Sequence, residues 1–137
     1  MFPRIDKGPI EYYLNIAQAF NTEKKRKCVR FTFQTNEEFH HFQYLITIDY
    51  TLQNGELGFV IKGLKPRGMT MPGVGPAVTS IDFFDLEGKF NISVSKPGQI
   101  VNSFVLSVKR LAPNILKDVS ESDAFLQVST AEVVGEL

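Results

Sequence analysis

Residues 42–61 read FQYLITIDYTLQNGELGFVI, and this stretch decides the fold. From Phe42 to Leu52 every second residue is apolar: Phe42, Tyr44, Ile46, Ile48, Tyr50 and Leu52 fall on one side of an extended chain. Leu57, Phe59 and Ile61 alternate in the same way after Asn54-Gly55. That dipeptide favours a two-residue hairpin turn, because both of its central positions need positive φ. A two-residue loop sets Gln53 opposite Glu56 and pairs Leu52 with Leu57, Tyr50 with Phe59 and Ile48 with Ile61. A slip of one residue would set apolar positions against polar ones, so turn chemistry and core pattern select one register.

Working upstream, Val29, Phe31 and Phe33 also alternate. A loop over Asn36 to Phe39 places Phe33 opposite Phe42, Phe31 opposite Tyr44 and Val29 opposite Ile46. The reading is a three-stranded meander from about Cys28 to Lys62 with an aromatic-rich inner face. Its outer face carries Arg30, Thr32, Gln34, His41, Gln43, Thr47, Asp49, Thr51 and Lys62, with Leu45 and Val60 as exceptions. Downstream, Gly63 to Ala77 hold four glycines and three prolines without periodicity, which predicts a long irregular loop. A second hairpin is expected about Glu87-Gly88, with Ile81 opposite Val94 and Phe83 opposite Ile92.

The flanks read as helices. Ile10, Tyr13, Leu14, Ala17 and Phe20 follow Gly8-Pro9 at helical spacing, with Glu11 in the first turn, and predict a helix from Pro9 to about Phe20. Between Gln99 and Ala112, the residues Ile100, Val101, Phe104, Val105, Val108, Leu111 and Ala112 cover one helical face, with Leu106 off the stripe. The valines keep a strand in contention there, and Pro113 ends the element either way. Residues Ala124 to Val134 suit a peripheral strand. The expected fold class is α+β, an antiparallel sheet of five to six strands with the N-terminal and C-terminal helices on one face. An all-β sandwich is the alternative if Gln99 to Ala112 is extended.

Composition bounds the function classes. The 137 residues suit one domain, 1–137, with 1–8 and 135–137 frayed. Fifteen basic residues balance fifteen acidic ones, so no global field attracts a polyanion and bulk nucleic-acid binding is not expected. No apolar stretch approaches the length of a membrane span, and the N-terminal residues lack the apolar core of a signal peptide. Cys28, the only cysteine, cannot form an internal disulfide, and a reducing, cytoplasmic setting follows as the expectation.

Chemistry-bearing patterns are sparse. His40 and His41 are adjacent and would point to opposite faces of a strand, which does not suit one metal ion, so no metal site is expected. Cationic Lys27 and Arg30 near Cys28 would lower a thiol pKa, but no histidine partner is specified. Asp82 and Asp85 flank Phe83-Phe84 and do not form a shared acid/base pair on a strand. Gly73 to Pro76 lacks the spacing of a phosphate loop, and Pro76 removes an amide donor.

The ligand or partner residues expected in the long loop are Lys62, Lys65 and Arg67, which suit an anionic group, and Met69 and Met71, which suit an apolar surface. Phe31, Phe33, Phe42, Tyr44, Tyr50 and Phe59 could instead line an apolar pocket on the inner face. No cofactor motif is present. The expected function is a non-enzymatic protein-interaction or adaptor domain, self-associating or bound to a protein partner. A small apolar-ligand binder is the alternative, followed by an enzyme with loop-borne chemistry.

Overall fold

The computed structural model describes residues 10–66, 73–96, 101–118 and 125–130. Nine strands follow in chain order: β1 (Tyr12–Asn21), β2 (Arg26–Phe39), β3 (Tyr44–Gln53), β4 (Glu56–Pro66), β5 (Gly75–Phe83), β6 (Gly88–Ser95), β7 (Asn102–Lys109), β8 (Ala112–Asp118) and β9 (Leu126–Thr130). They form a four-stranded sheet, β5-β2-β1-β9, and a five-stranded sheet, β3-β4-β6-β7-β8. The inner faces of the two sheets share one apolar core. The α+β expectation is therefore wrong and the all-β sandwich correct: the described residues contain no helix. The termini expected to fray, 1–8 and 135–137, lie outside the described residues.

Neither expected helix forms: the first is β1 and the second spans β7, a turn at Arg110-Leu111 and the start of β8, and burial shows why. In β1, Leu14 and Ile16 are fully buried while Phe20 is 54% exposed, an alternation that brings in Ile16, off the helical stripe, and leaves out Phe20, which is on it. Leu14 pairs with Phe33 and Ile16 with Phe31 across the β1–β2 ladder. In β7, Phe104, Leu106 and Val108 are all buried, so extension brings in Leu106, the residue a helix would have left out. Burying one such side chain is worth about 1.5–3 kcal/mol, more than the few tenths by which helix propensities differ among these residues. The peripheral strand expected over Ala124 to Val134 is present as β9, paired parallel to β1. Asn102, itself buried, accepts a hydrogen bond from the Leu126 amide at 2.9 Å and holds the start of β9.

The hairpin at Asn54-Gly55 forms in the expected register: Gln53↔Glu56, Leu52↔Leu57, Tyr50↔Phe59 and Ile48↔Ile61. Asn54 and Gly55 take φ of 53° and 78°, the left-handed pair that a two-residue turn needs. Beyond Ile48 the register shifts, Thr47 lying opposite Gly63, so Lys62 is the extra residue of a bulge.

The meander does not form. β2 pairs with β1 and β5, and β3 lies in the other sheet, so Phe33 and Phe42 are not cross-strand neighbours. The second hairpin is likewise absent. β5 pairs with β2, setting Phe83 opposite Val29, whereas β6 pairs antiparallel with β7 and parallel with β4. Both ends of the expected irregular loop are strand instead, residues through Pro66 belonging to β4 and residues from Gly75 to β5.

Candidate interaction site at the edge of β3

Each sheet ends in two edge strands, and an edge presents a row of unpaired backbone groups to any extended chain that reaches it. Three of the four edges here carry a device against such pairing. β5 contains Pro76, β8 contains Pro113, and β9 has five residues among those described. β3 has ten residues, YLITIDYTLQ, with Asp49 as its sole charge and neither proline nor lysine. Its β-branched and aromatic content suits pairing.

The free side of β3 follows from the hairpin. Gln53 and Glu56 flank the two-residue turn and exchange hydrogen bonds, so Thr51 and Asp49 also point their backbone groups at β4. Leu52, Tyr50, Ile48 and Ile46 point theirs outward by the same period. At Ile46 the outward groups are occupied. The Thr79 hydroxyl accepts from the Ile46 amide at 2.8 Å and donates to the Ile46 carbonyl at 2.7 Å. This single side chain of β5 joins the two sheets at their seam. Ile48, Tyr50 and Leu52 lie beyond it.

A groove of about 590 Å³ runs along the seam, lined by Leu45, Ile46, Thr47, Ile48, Tyr50 and Lys65 on one side and Val78, Thr79, Ser80 and Ile81 on the other. A smaller cleft of about 200 Å³ shares Val78 and continues past Gln43, Tyr44, Val74, Gly75 and Pro76. The groove lining mixes apolar side chains with the hydroxyls of Thr47, Thr79 and Ser80, and carries one cation, Lys65, and no carboxylate. At the lower end the Tyr50 ring meets Phe83 edge-on with centroids 5.1 Å apart, yet Tyr50 is 49% and Leu52 44% exposed.

Of the loop residues expected to bind, Lys65 lines this groove, whereas Lys62 lies on the outer face 3.6 Å from Asp49. Arg67, Met69 and Met71 lie outside the described residues. The six aromatics of the expected inner face are divided. Phe31 and Phe33 come from one sheet and Phe59 from the other, all at most 1% exposed, with Phe59 ring centroids 5.3 and 5.1 Å from Phe31 and Phe33. Tyr44 packs on Phe39, while Phe42 and Tyr50 are exposed.

His40 and His41 are exposed, and among the described residues no three His, Cys, Asp or Glu side chains gather to hold a metal ion. Thr79 and Val78 escaped the sequence reading, and Ile46 and Ile81 entered it only as apolar strand residues. The single charge in 44–53, Asp49, was a visible signal, but it acquires meaning only once β3 is known to be an edge.

A second polar cluster lies on the outer face of the four-stranded sheet. Arg30 grips Asp82 through two hydrogen bonds of 2.8 and 3.0 Å, and the Asn21 amide donates to the same carboxylate at 2.8 Å. The Arg30 hydrogen bond, aided by Asn21, holds the Asp82 carboxyl below the usual carboxylate range. Buried Cys28 lies beside them; its burial and the Asp82 charge push the thiol up, away from a reactive thiolate. Burial first, and then the Asp82 carboxylate, outweigh the lowering by Arg30 that the sequence pointed to.

Asp82→Asn should cost about 1–2 kcal/mol at pH 7, a figure reduced because the Arg30 side chain is 36% exposed. Because the folded-state pKa is depressed, the contribution is present above the unfolded value of about 3.9 and is lost as pH falls through the folded value. Denaturant midpoints for the two proteins should therefore converge at acidic pH; a gap that stays constant down to pH 2 would contradict the assignment.

Comparison of the chain with protein-family models, with curated proteins and with solved structures finds no match in any of the three.

Proposed function

We propose that the protein is a non-enzymatic interaction domain that takes up an extended segment by strand addition at the free edge of β3. The observation that carries this reading is the contrast between edges among the described residues: β3 is long, with one charge and no proline, while β5 and β8 contain prolines and β9 is short. Main-chain hydrogen bonds supply the affinity in this mode, and the groove beside the edge supplies selection among side chains. Ile48 and Ile81 favour apolar groups at alternate positions, and Lys65 favours a carboxylate where the segment leaves the groove.

Arg30 and Asp82, whose pairing raises the one pKa and lowers the other, are committed to each other, which suits a binding role better than proton transfer. No helix among the described residues is long and apolar enough to cross a membrane. A buried free thiol at Cys28 suits residence in the reducing cytoplasm.

Hydrogen exchange of dilute protein tests this reading. A pool of hexapeptides alternating Val, Ile, Leu or Phe with Thr, Ser, Asp or Lys should slow the amides of Ile48, Tyr50 and Leu52. The amides of Asp49 and Thr51, already in the ladder to β4, should be unchanged. Protection confined to other strands, or none with any pool member, would refute strand addition at β3.

A further inference from the structure

The free edge of β3 has two limits: Ile46, whose outward groups are held by Thr79, and Asn54, where the chain turns. Between them lie the seven residues Thr47 to Gln53, and their midpoint is Tyr50. From this geometry we infer that the segment received at β3 is β3 of a second copy, paired antiparallel about a two-fold axis through Tyr50. The inference rests on the strand-addition reading and adds the identity of the strand.

Four features agree on that register, and the first two, which share one period, hold equally for axes at Asp49 and Thr51; the Asp49 axis would set Asp49 against itself, and the Thr51 axis would set Ile48 against the turn residue Asn54. Backbone parity is the first: Ile48, Tyr50 and Leu52 all point outward, so Tyr50 meets the partner's Tyr50 as a hydrogen-bonded pair. Ile48 meets the partner's Leu52 in the same way, twice by symmetry. The second is face matching, since each of these pairs sets apolar against apolar on the side continuous with the core.

Charge is the third. Asp49, the only charge on the strand, falls opposite the partner's Thr51, so no like charges oppose each other. The fourth is exposure: Tyr50 and Leu52 are 49% and 44% exposed although they belong to the inner-facing side of β3, and this pairing covers both. An axis at Ile48 would require Ile46 to pair with the partner's Tyr50 while Thr79 already holds its amide and carbonyl. An axis at Leu52 would run into the turn. The product is a continuous ten-stranded sheet flanked by two four-stranded ones.

Thr51 supplies a test in which the sign of the effect is set by the register. It is exposed and outside the core, so its substitutions leave folding intact. Thr51→Asp sets two like-charge pairs across the axis, and Thr51→Lys sets two opposite-charge pairs. Sedimentation equilibrium should show a dimer of the unaltered protein. Its dissociation constant should rise about tenfold in Thr51→Asp and fall by a smaller factor in Thr51→Lys, both changes fading in high salt.

A dimer that neither substitution moves has its interface elsewhere and overturns the inference. A protein that stays monomeric, yet whose Ile48, Tyr50 and Leu52 amides are still protected by the hexapeptide pool, also overturns it while leaving strand addition intact. A monomer without peptide protection overturns both.

Discussion

Replacing Phe59 with Ala is expected to destabilise the protein by about 3–5 kcal/mol, a large part of the 5–15 kcal/mol typical of a domain. Phe59 belongs to the five-stranded sheet, and its ring touches Phe31, Phe33 and Phe83 of the opposite sheet as well as Tyr50 of its own hairpin. It is 1% exposed. Truncation would remove the central ring of this cluster and leave a void between two hydrogen-bonded sheets, which resist closing on it. Chemical denaturation should show the loss as a lower midpoint with an unchanged slope. Phe20→Ala, at a ring 54% exposed, should change stability by no more than about 0.5 kcal/mol. Equal losses at the two positions would contradict the core described above.

The second large effect is expected at the seam. Thr79→Val keeps the shape of the side chain but removes the hydroxyl that both accepts from and donates to Ile46. Two backbone groups lose their partner at a half-buried site, at a cost of about 2–3 kcal/mol. Unlike the Phe59 change, this loss has a local signature. The Ile46 amide should exchange faster in hydrogen-exchange measurements, because the edge of β3 would be free along its whole length. Thr79→Ser, which retains the hydroxyl, should restore slow exchange. If Thr79→Val leaves the Ile46 amide as slow as before, the hydroxyl bridge is not what closes the seam.

The two substitutions probe different levels of the same structure, and they differ in how far the sequence foretells them. Phe59 was placed on an inner face by alternation alone, opposite Tyr50, and both statements hold in the structure. Thr79 carried no such signal. Its role depends on β5 lying against β3, two strands that belong to different sheets and share no ladder. The same division separates the expected interaction residues. Lys65 was named from the sequence and does line the seam groove, but Val78 and Ile81 enter it only through the chain's return from the other side of the sandwich.

What the sequence determined by itself is the hairpin from Ile48 to Ile61: its turn, its register and which side of each strand faces inward. These are local properties. The pairing residues lie close along the chain, the Asn54-Gly55 turn has few alternatives, and a two-residue period assigns every side chain to a face. Alternation names a face, however, and not the neighbour that covers it. Val29, Phe31 and Phe33 are as well buried beside β1 and β5 as they would have been beside β3, so the strand order had to be settled by how the whole apolar surface closes into two layers.

That collective closure also overrode the helical spacing of Ile10 to Phe20 and of Ile100 to Ala112, since only extended chains there bring Ile16 and Leu106 into the core. The candidate site lies at the boundary of these two regimes. The residues of β3 and their parity are written in the hairpin, but that β3 is an edge, open below Ile46 and bridged at it by Thr79, is a property of the folded sandwich.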